Sequence, residues 1–340
     1  MIEIESNVNL KQLNTMALAS IAEYYCAVHS VAELTEAIDF AQREALALHI
    51  LGEGSNTLPV SHVSGLSCRV ALKGIEIVQD SQDTVILRVA SGENWHQLVA
   101  HTVNNRWWGI ENLALIPGAV GAAPVQNIGA YGVEIADVLL AVEVFDLQTL
   151  TQRTLSKAEC ELSYRESTFK GNDRGRFVIL QVLLELSKIA KPVLSYAGLS
   201  ELAVLADREA LSASRVAERV IELRSAKLPN PTELPNSGSY FKNPIVARSV
   251  ADSLLENFPQ APHWVVGQEV KFAAAWLMDQ CGFRGTELAG GFQPYHLQAL
   301  VMTNPKGGSY RDLLRAETEV IRTVASRFGI TLEREPQLLG

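Results

Sequence analysis

The chain has little of what announces a protein class at a glance. Of its 340 residues four are cysteine, and Cys26, Cys68, Cys160 and Cys281 form no Cys-x-x-Cys pair. Such spacing suits neither a disulfide framework nor a thiolate metal centre, and fits reduced, mostly buried thiols in a reducing compartment. The seven histidines are scattered. His96 and His101 lie five apart on an expected helix, which turns them to different faces, so no metal site is expected. Positive charge is also scarce, with 29 Lys and Arg against 38 Asp and Glu and a net charge of −9. This balance argues against a protein that neutralises many phosphates along a nucleic acid. It leaves room for a small phosphorylated ligand, because a few local donors override the global sign. No apolar run approaches the roughly 18 residues of a membrane span. The opening MIEIESNVNLKQLN carries acids where a signal peptide needs a basic start and an apolar run. A soluble, cytoplasmic protein without repeats or low-complexity tracts is expected.

What is present describes an ordinary globular chain, 47% hydrophobic and 20% charged. Its length exceeds one core and suggests two or three domains of roughly 100–150 residues each. Ser30 and Glu33 make a capping box ahead of an apolar periodicity through Phe40 to about Ala45, hence a helix. Leu46 to Leu51 reads as a buried strand ending in the turn GEGSN (52–56). Strands over Ile75–Val78 and Val85–Val89 lead to a helix from Glu93 to Asn105. A stretch rich in glycine and alanine then runs from Ile116 to Gly132. Strands follow at Leu139–Asp146 and Phe177–Leu186, with a capping box of Ser156 and Glu159 between them, so this half reads as α+β with a mixed sheet. Ser187–Ser212 is irregular and reads as a linker. A helix over Ser214–Ser225 precedes the proline-rich loop Leu228–Gly238, which prolines keep out of regular structure. The last third alternates helices (Arg248–Asn257, Val270–Cys281, Ser309–Phe328) with short strands such as Ala299–Thr303, and ends in a strand from Ile330 to Leu338.

Four candidates are able to carry chemistry, the first of them a pair of glycine-rich turns. GEGSN and PGAVGAAP (117–124) offer backbone N–H groups and close approach to a phosphate, yet each also fits a tight turn or a small-residue packing contact. Neither is a Walker A loop or a Gly-x-Gly-x-x-Gly turn. Arg165, within Ser163–Lys170, is either an electrostatic stabiliser that cannot lose its proton or one half of an ordinary ion pair. Ser239 follows Gly238 on a sharply turned segment, with Lys242 and Asn243 just beyond. It lacks the surroundings of a hydrolase nucleophile and equally fits a polar turn. Glu333 and Glu335 alternate to one face of the expected last strand, either as a directed carboxylate before Pro336 or as solvated edge charges.

Taken in order, ILGEGSN (50–56), ENLALIPGAVGAAPVQNIGAYG (111–132), YRESTFK (164–170), GSYFKNP (238–244) and WLMDQCG (276–282) closely resemble the UDP-N-acetylenolpyruvoylglucosamine reductases of peptidoglycan synthesis. The match runs from about Leu10 to Glu335. Tyr196, followed by KLP and GSYFKNP, resembles the subgroup that closes a tyrosine-bearing loop over its substrate. The resemblance implies an FAD-binding fold of the vanillyl-alcohol-oxidase type, made of two α+β subdomains, followed by a smaller α+β substrate-binding domain. Residues 1–68, completed by 329–340, would form the first subdomain, 69–212 the second, and 213–328 the substrate domain.

It further implies NADPH-dependent reduction of UDP-N-acetylglucosamine enolpyruvate through FAD, with NADPH and the sugar nucleotide taking the same place in turn, in a protein expected to be a monomer. Gly52, Gly54, Ser55 and Asn56 would cradle the pyrophosphate. Pro117, Gly118, Gly121, Ala122, Ala123 and Ile128 would line the flavin. Family members often carry small hydroxyl residues where Ala122 and Ala123 stand, so backbone donors would have to suffice there. Arg165 and Glu335 would stabilise an enolate, and Ser239 would protonate the carbon beside it, with Lys242 or a water assisting. Tyr131, Tyr196, Arg224, Lys227, Lys242, Asn243 and Gln298 carry over as substrate contacts. Arg284 does so at a position where the family often has lysine. The rival readings are an oxygen-using alcohol oxidase of the same fold and a nucleotide-binding regulator that lost its chemistry.

Overall fold

The computed structural model describes residues 2–206 and 211–340. In chain order, β1 (Glu5–Asn9), β2 (Ile21–Val28), α1 (Val31–Arg43), β3 (Leu48–Leu51), β4 (Thr57–Pro59) and β5 (His62–Val70) come first. Then follow β6 (Ile75–Asp80), β7 (Thr84–Ala90), α2 (Trp95–Asn104), β8 (Gly129–Ala130), β9 (Val133–Glu134), β10 (Leu139–Asp146), β11 (Thr151–Ser156) and β12 (Phe177–Ser187). Helices α3 (Ser200–Ala206) and α4 (Ala213–Ser225) lead to β13 (Asn236–Ser239), β14 (Ile245–Ala247), α5 (Arg248–Asn257), β15 (His263–Val266) and β16 (Glu269–Phe272). The chain closes with α6 (Ala274–Gln280), β17 (Gln293–Pro294), β18 (Val301–Thr303), α7 (Tyr310–Phe328) and β19 (Gln337–Leu339). This is the expected α+β class. The chain divides into two compact units: residues 1–6, 24–53 and 65–226, and residues 7–23, 54–64 and 227–340. Among the described residues no helix is long and apolar enough to cross a membrane.

The first unit is organised by a five-stranded sheet of order β11-β10-β12-β7-β6. Every pairing in it is antiparallel, so the expected mixed character is confined elsewhere, to a second sheet where β3 runs parallel to β5. A bulge at Leu180, where Glu143 pairs with Gln181 and Val144 already with Ile179, breaks the alternation of β12 and sends its two ends into different cores. Val182 and Leu184 join Leu98, Val99, Val216 and Val220 from α2 and α4. Val178 and Leu180 join Leu34 and Ile38 of α1, with Cys26, Leu66 and Cys68. Helix α1 buries Leu34, Ala37, Ile38 and Ala41, the stripe its periodicity predicts, and Ser30 Oγ accepts from Glu33 N. The Glu33 carboxylate, however, takes the His29 N–H rather than that of the cap. Ser156 and Glu159 bond reciprocally as expected but head a turn after β11, not a helix.

The second unit holds two three-stranded sheets, β13-β18-β17 and β14-β16-β15, around the core of α5, α6 and α7. Two expectations fail here. Glu269–Phe272 is a strand, and the helix starts only at Ala274: Val270 and Phe272 alternate inward between β14 and β15, and that pairing overrides a helical reading. Residues 330–336 form no regular strand. They carry one isolated bridge, Phe241 to Arg334, before Pro336, which has no N–H to donate, and only Gln337–Leu339 pairs, in parallel with β4. Helix α7 is closed by a full capping box of Ser309 and Asp312 and ends on Gly329 with φ 68°. Its buried stripe reads Leu313, Ala316, Glu317, Val320, Val324 and Phe328, with one charged residue among apolar ones.

Candidate functional site

In the first unit the two glycine-rich stretches adjoin. A Cβ built on Gly52 would meet the methyls of Ala119 and Ala122 at 3.4 and 3.8 Å, ordinary contact distances. At Gly121 the reason for glycine is the chain's own packing, since a Cβ would lie 2.5 Å from that of Ser91. The segment from Gly118 onward winds through two 3-10 turns, Val120–Ala122 and Pro124–Gln126. Its amides are therefore already committed: Val120 N–H to Glu93 O, Gly121 to Ser91 O, Ala122 to Ala119 O, Ala123 to Val120 O. The backbone donors expected from Ala122 and Ala123 are thus spent inside the turn, and of their two methyls only that of Ala122 reaches the surface, Ala123 being packed in the core. Gly118 is buried, Pro117 and Ala122 are exposed, and Ile128 belongs to the core. A flat ring system fits such a wall, because nothing on it projects beyond a methyl or a proline ring. The buried Ser91 Oγ beside it has no hydrogen-bond partner among the described residues.

Arg165 sits at the tip of a two-residue turn closed by reciprocal Ser163 and Glu166 backbone bonds, each 3.1 Å. Its φ of 58° is in the left-handed region, as is that of Tyr131 at 51°, a conformation that costs side-chain-bearing residues energy and recurs at functional sites. The guanidinium donates to Gly129 O at 3.0 Å and Asn127 O at 3.5 Å. Lys170 Nζ in turn donates to Arg165 O at 2.8 Å. Asn127, unnoticed in the sequence, is the hub of this region. Its amide donates to Glu134 and to Ser163 O, and its Oδ1 accepts from Ala136 N.

Arg224, on α4, belongs to the same neighbourhood. Burial pushes its pKa down, the charge of Arg165 adds to the effect, and Tyr131 opposes it. Its buried Nε has no hydrogen-bond partner among the described residues. Arginine stays charged regardless, so two guanidinium groups here repel one another and would be relieved by an anion. Tyr131 has its pKa raised by burial, and its ring meets that of Tyr196 edge-on at 4.9 Å between centroids. Tyr196 is half exposed. Asn112 holds the backbone on both sides of this pair, donating to Tyr131 O and Val193 O. His96 accepts the Leu115 N–H at Nδ1, and burial followed by the charge of Arg224 lowers its pKa. Neither Asn112 nor His96 carries a local sequence signal for such a role.

In the second unit Gly54 has φ 69°, and a Cβ there would fall 1.9 Å from Leu13 O, so the fold itself demands glycine. The turn's carbonyls are tied down as well: Thr15 donates to Gly54 O and Ser55 O, and Gln337 N to Asn56 O. Ser239 and Glu335 come together here as neighbours on bonded segments. Lys242 N donates to Glu333 O at 2.8 Å and Glu335 N to Tyr240 O at 2.9 Å, around the Phe241–Arg334 bridge. Glu335 is 7% exposed, whereas the side chain of Glu333 is 71% exposed. The irregular backbone thus separates two carboxylates that strand alternation would have put on one face.

Lys242 Nζ pairs with that outer Glu333. The Asn243 Oδ1 accepts Ala274 N at the start of α6. Arg284 is held by Asp279, which raises its pKa, and it stands half exposed. Gln298 lies in the β17–β18 turn, bonded through its backbone to Tyr295 and Val301, and Lys227 is exposed.

Residues 22–154 match a model of an FAD-binding domain, and residues 230–339 match the C-terminal domain of UDP-N-acetylenolpyruvoylglucosamine reductase. The chain is 41% identical over 333 residues to a UDP-N-acetylenolpyruvoylglucosamine reductase of Salmonella choleraesuis (strain SC-B67), covering 98% of this chain and 96% of the relative. It is 38% identical over 340 residues to the one of Flavobacterium johnsoniae, covering 99% and 100%. Among solved structures, a UDP-N-acetylenolpyruvylglucosamine reductase from Thermus caldophilus shares the fold over 100% of both chains, with a TM-score of 0.70 at 22% identity.

Proposed function

The chain belongs to the UDP-N-acetylenolpyruvoylglucosamine reductase family, and from that premise we propose that it reduces UDP-N-acetylglucosamine enolpyruvate with electrons from NADPH, as a cytoplasmic monomer. The structural observation that carries this reading is the pair Arg165 and Arg224. Two half-buried like charges beside Tyr131 repel one another and suit a ligand that brings a carboxylate. The same division of labour assigns residues 1–68 with 329–340, and 69–212, to the flavin, and 213–328 to the sugar nucleotide.

FAD, when bound, supplies the hydride that adds to the terminal vinyl carbon of the enolpyruvyl group. Gly52, Gly54, Ser55 and Asn56 would hold its pyrophosphate, and Pro117, Gly118, Gly121, Ala122, Ala123 and Ile128 its ring system, by contact more than by hydrogen bonds. As negative charge develops on the adjacent carbon and its carboxylate, Arg165 offers a fixed, always-charged fork. Glu335, which is buried, would donate to the same enolic group when it carries a proton. Ser239 delivers a proton to the carbon, which completes the lactyl ether. Lys242, paired with Glu333, would assist this serine and contact the substrate. Tyr131, Tyr196, Arg224, Lys227, Asn243 and Gln298 would hold the sugar and diphosphate. Arg284, already paired with Asp279, is the weakest of the assigned contacts.

The test is direct. Purified, flavin-loaded protein should consume NADPH in step with added enolpyruvyl sugar nucleotide. Oxygen-dependent turnover of a simple alcohol without any response to that nucleotide would overturn the assignment, and a yellow protein with no turnover at all would mark a regulator. Ser239→Ala should leave flavin reduction by NADPH within about twofold and slow reoxidation by the sugar nucleotide at least about 100-fold, in the range a lost general acid costs.

A further inference from the structure

The buried charge on α7 has no part in the mechanism so far. Tyr240 is fully buried, and its hydroxyl donates to Glu317 Oε2 at 2.9 Å. Arg334 Nε lies 3.2 Å from Glu317 Oε1, close enough for an ion pair though out of line for a hydrogen bond. Tyr240 follows Ser239 in the chain, and Arg334 precedes Glu335. Two side chains next to the two proton-handling candidates therefore end on the two oxygens of one carboxylate.

Stability alone is a poor reason for such an arrangement. A phenylalanine, a leucine and a methionine would fill the same space without desolvating charge, and such replacements are often neutral or stabilising. The backbone supplies the other half of the argument. The segment 330–336 is joined to the residues just after the Ser239 strand by a single bridge, made of the two bonds of Lys242 and Glu335, not by a ladder. So short a pairing leaves its register weakly specified, and a slip of one residue would put Arg334 or Pro336 in the place of Glu335. Helix α7, 19 residues long and capped at both ends, is a rigid platform from which a directional, largely buried network can remove that freedom.

We propose that Tyr240, Glu317 and Arg334 form a positioning network that fixes the register of the Ser239 strand against the Glu335 segment, and so the relative placement of the two proton-handling groups. The inference rests on the reading of Ser239 and Glu335 given above. Tyr240→Phe and Glu317→Gln in the flavin-loaded enzyme test it, through both half-reactions by stopped flow and amide hydrogen exchange at Lys242 and Glu335. Each variant should keep flavin reduction by NADPH within twofold and slow reoxidation by the sugar nucleotide about 5- to 20-fold, with its KM nearly unchanged. Exchange at the Lys242 and Glu335 amides should quicken while α7 stays protected. The double variant should be no slower than the worse single one, since the network acts as a unit.

A lowered melting temperature with both half-reactions intact, or with both slowed alike, would reduce the network to a fold staple and overturn the proposal. Should Tyr240→Phe fail to fold, Glu317→Gln, which keeps a hydrogen-bonding amide for Tyr240, decides by the same criteria. Ser239→Ala is measured alongside. If it slows reoxidation and the network variants do not, positioning alone is wrong; if it slows nothing, the reading of the site falls and the network with it.

Discussion

Replacing Arg165 by lysine isolates what the guanidinium fork contributes. Lysine keeps the charge and, as another L-residue, meets the same backbone cost at φ 58°, so the comparison is one of side-chain geometry. In the wild type the fork is oriented by Gly129 O at 3.0 Å and Asn127 O at 3.5 Å, which leaves the rest of its planar edge aimed. An ammonium that satisfies either carbonyl loses that orientation and at least one charge-assisted bond to the developing enolate. Such a bond is worth roughly 1.5–3 kcal/mol, and at about 1.36 kcal/mol per decade the loss corresponds to a rate reduction of roughly 10- to 150-fold. The assay is anaerobic stopped flow at the flavin absorbance, with reduction by NADPH and reoxidation by the sugar nucleotide followed separately. Only reoxidation should slow. Arg165→Lys reoxidising within twofold of wild type would mean that a point charge is enough and that the fork argument is wrong.

Other expectations follow from single contacts. Gly54→Ala must place a methyl against Leu13 O at a positive φ and should cost at least about 2 kcal/mol in urea unfolding. Gly52→Ala meets only methyls at normal distance and should stay within about 1 kcal/mol of wild type, while weakening flavin retention. Equal stability loss in the two would refute the distinction. Asp146, fully covered and bonded to Arg176 with help from the Gln148 N–H, has its carboxyl held down at about 2. Its folded pKa lies below the unfolded value, so its contribution is complete above about pH 4 and is lost as pH falls toward 2. Arg176 is a quarter exposed, so solvent screening brings the contribution to about 1 kcal/mol. Asp146→Asn should therefore lower stability at pH 7 but scarcely at pH 2.5, and an equal loss at both would exclude the charge.

Local pattern determined a good part of this protein. The cap of α1, the capping box and apolar stripe of α7 and the span of α5 are written in neighbours three or four residues apart, and the span of β10 in a largely apolar run, all within one segment. Five ordered motifs likewise carried the family from the residues alone. Where distant strands compete with local propensity, the sequence misled: β16 was expected as helix, and residues 330–336 as strand. The tertiary structure alone decided which carboxylate is buried. Glu333 and Glu335 look equivalent in LEREP, and only the pairing with Tyr240 and Lys242, more than 90 residues away, turns one inward and the other to Lys242. It alone gave Arg165 its carbonyl supports and Arg224 as a like-charged neighbour, and attached Glu317 to Tyr240 across 77 residues. Such contacts arise from the packing of whole elements, which no spacing within one segment encodes.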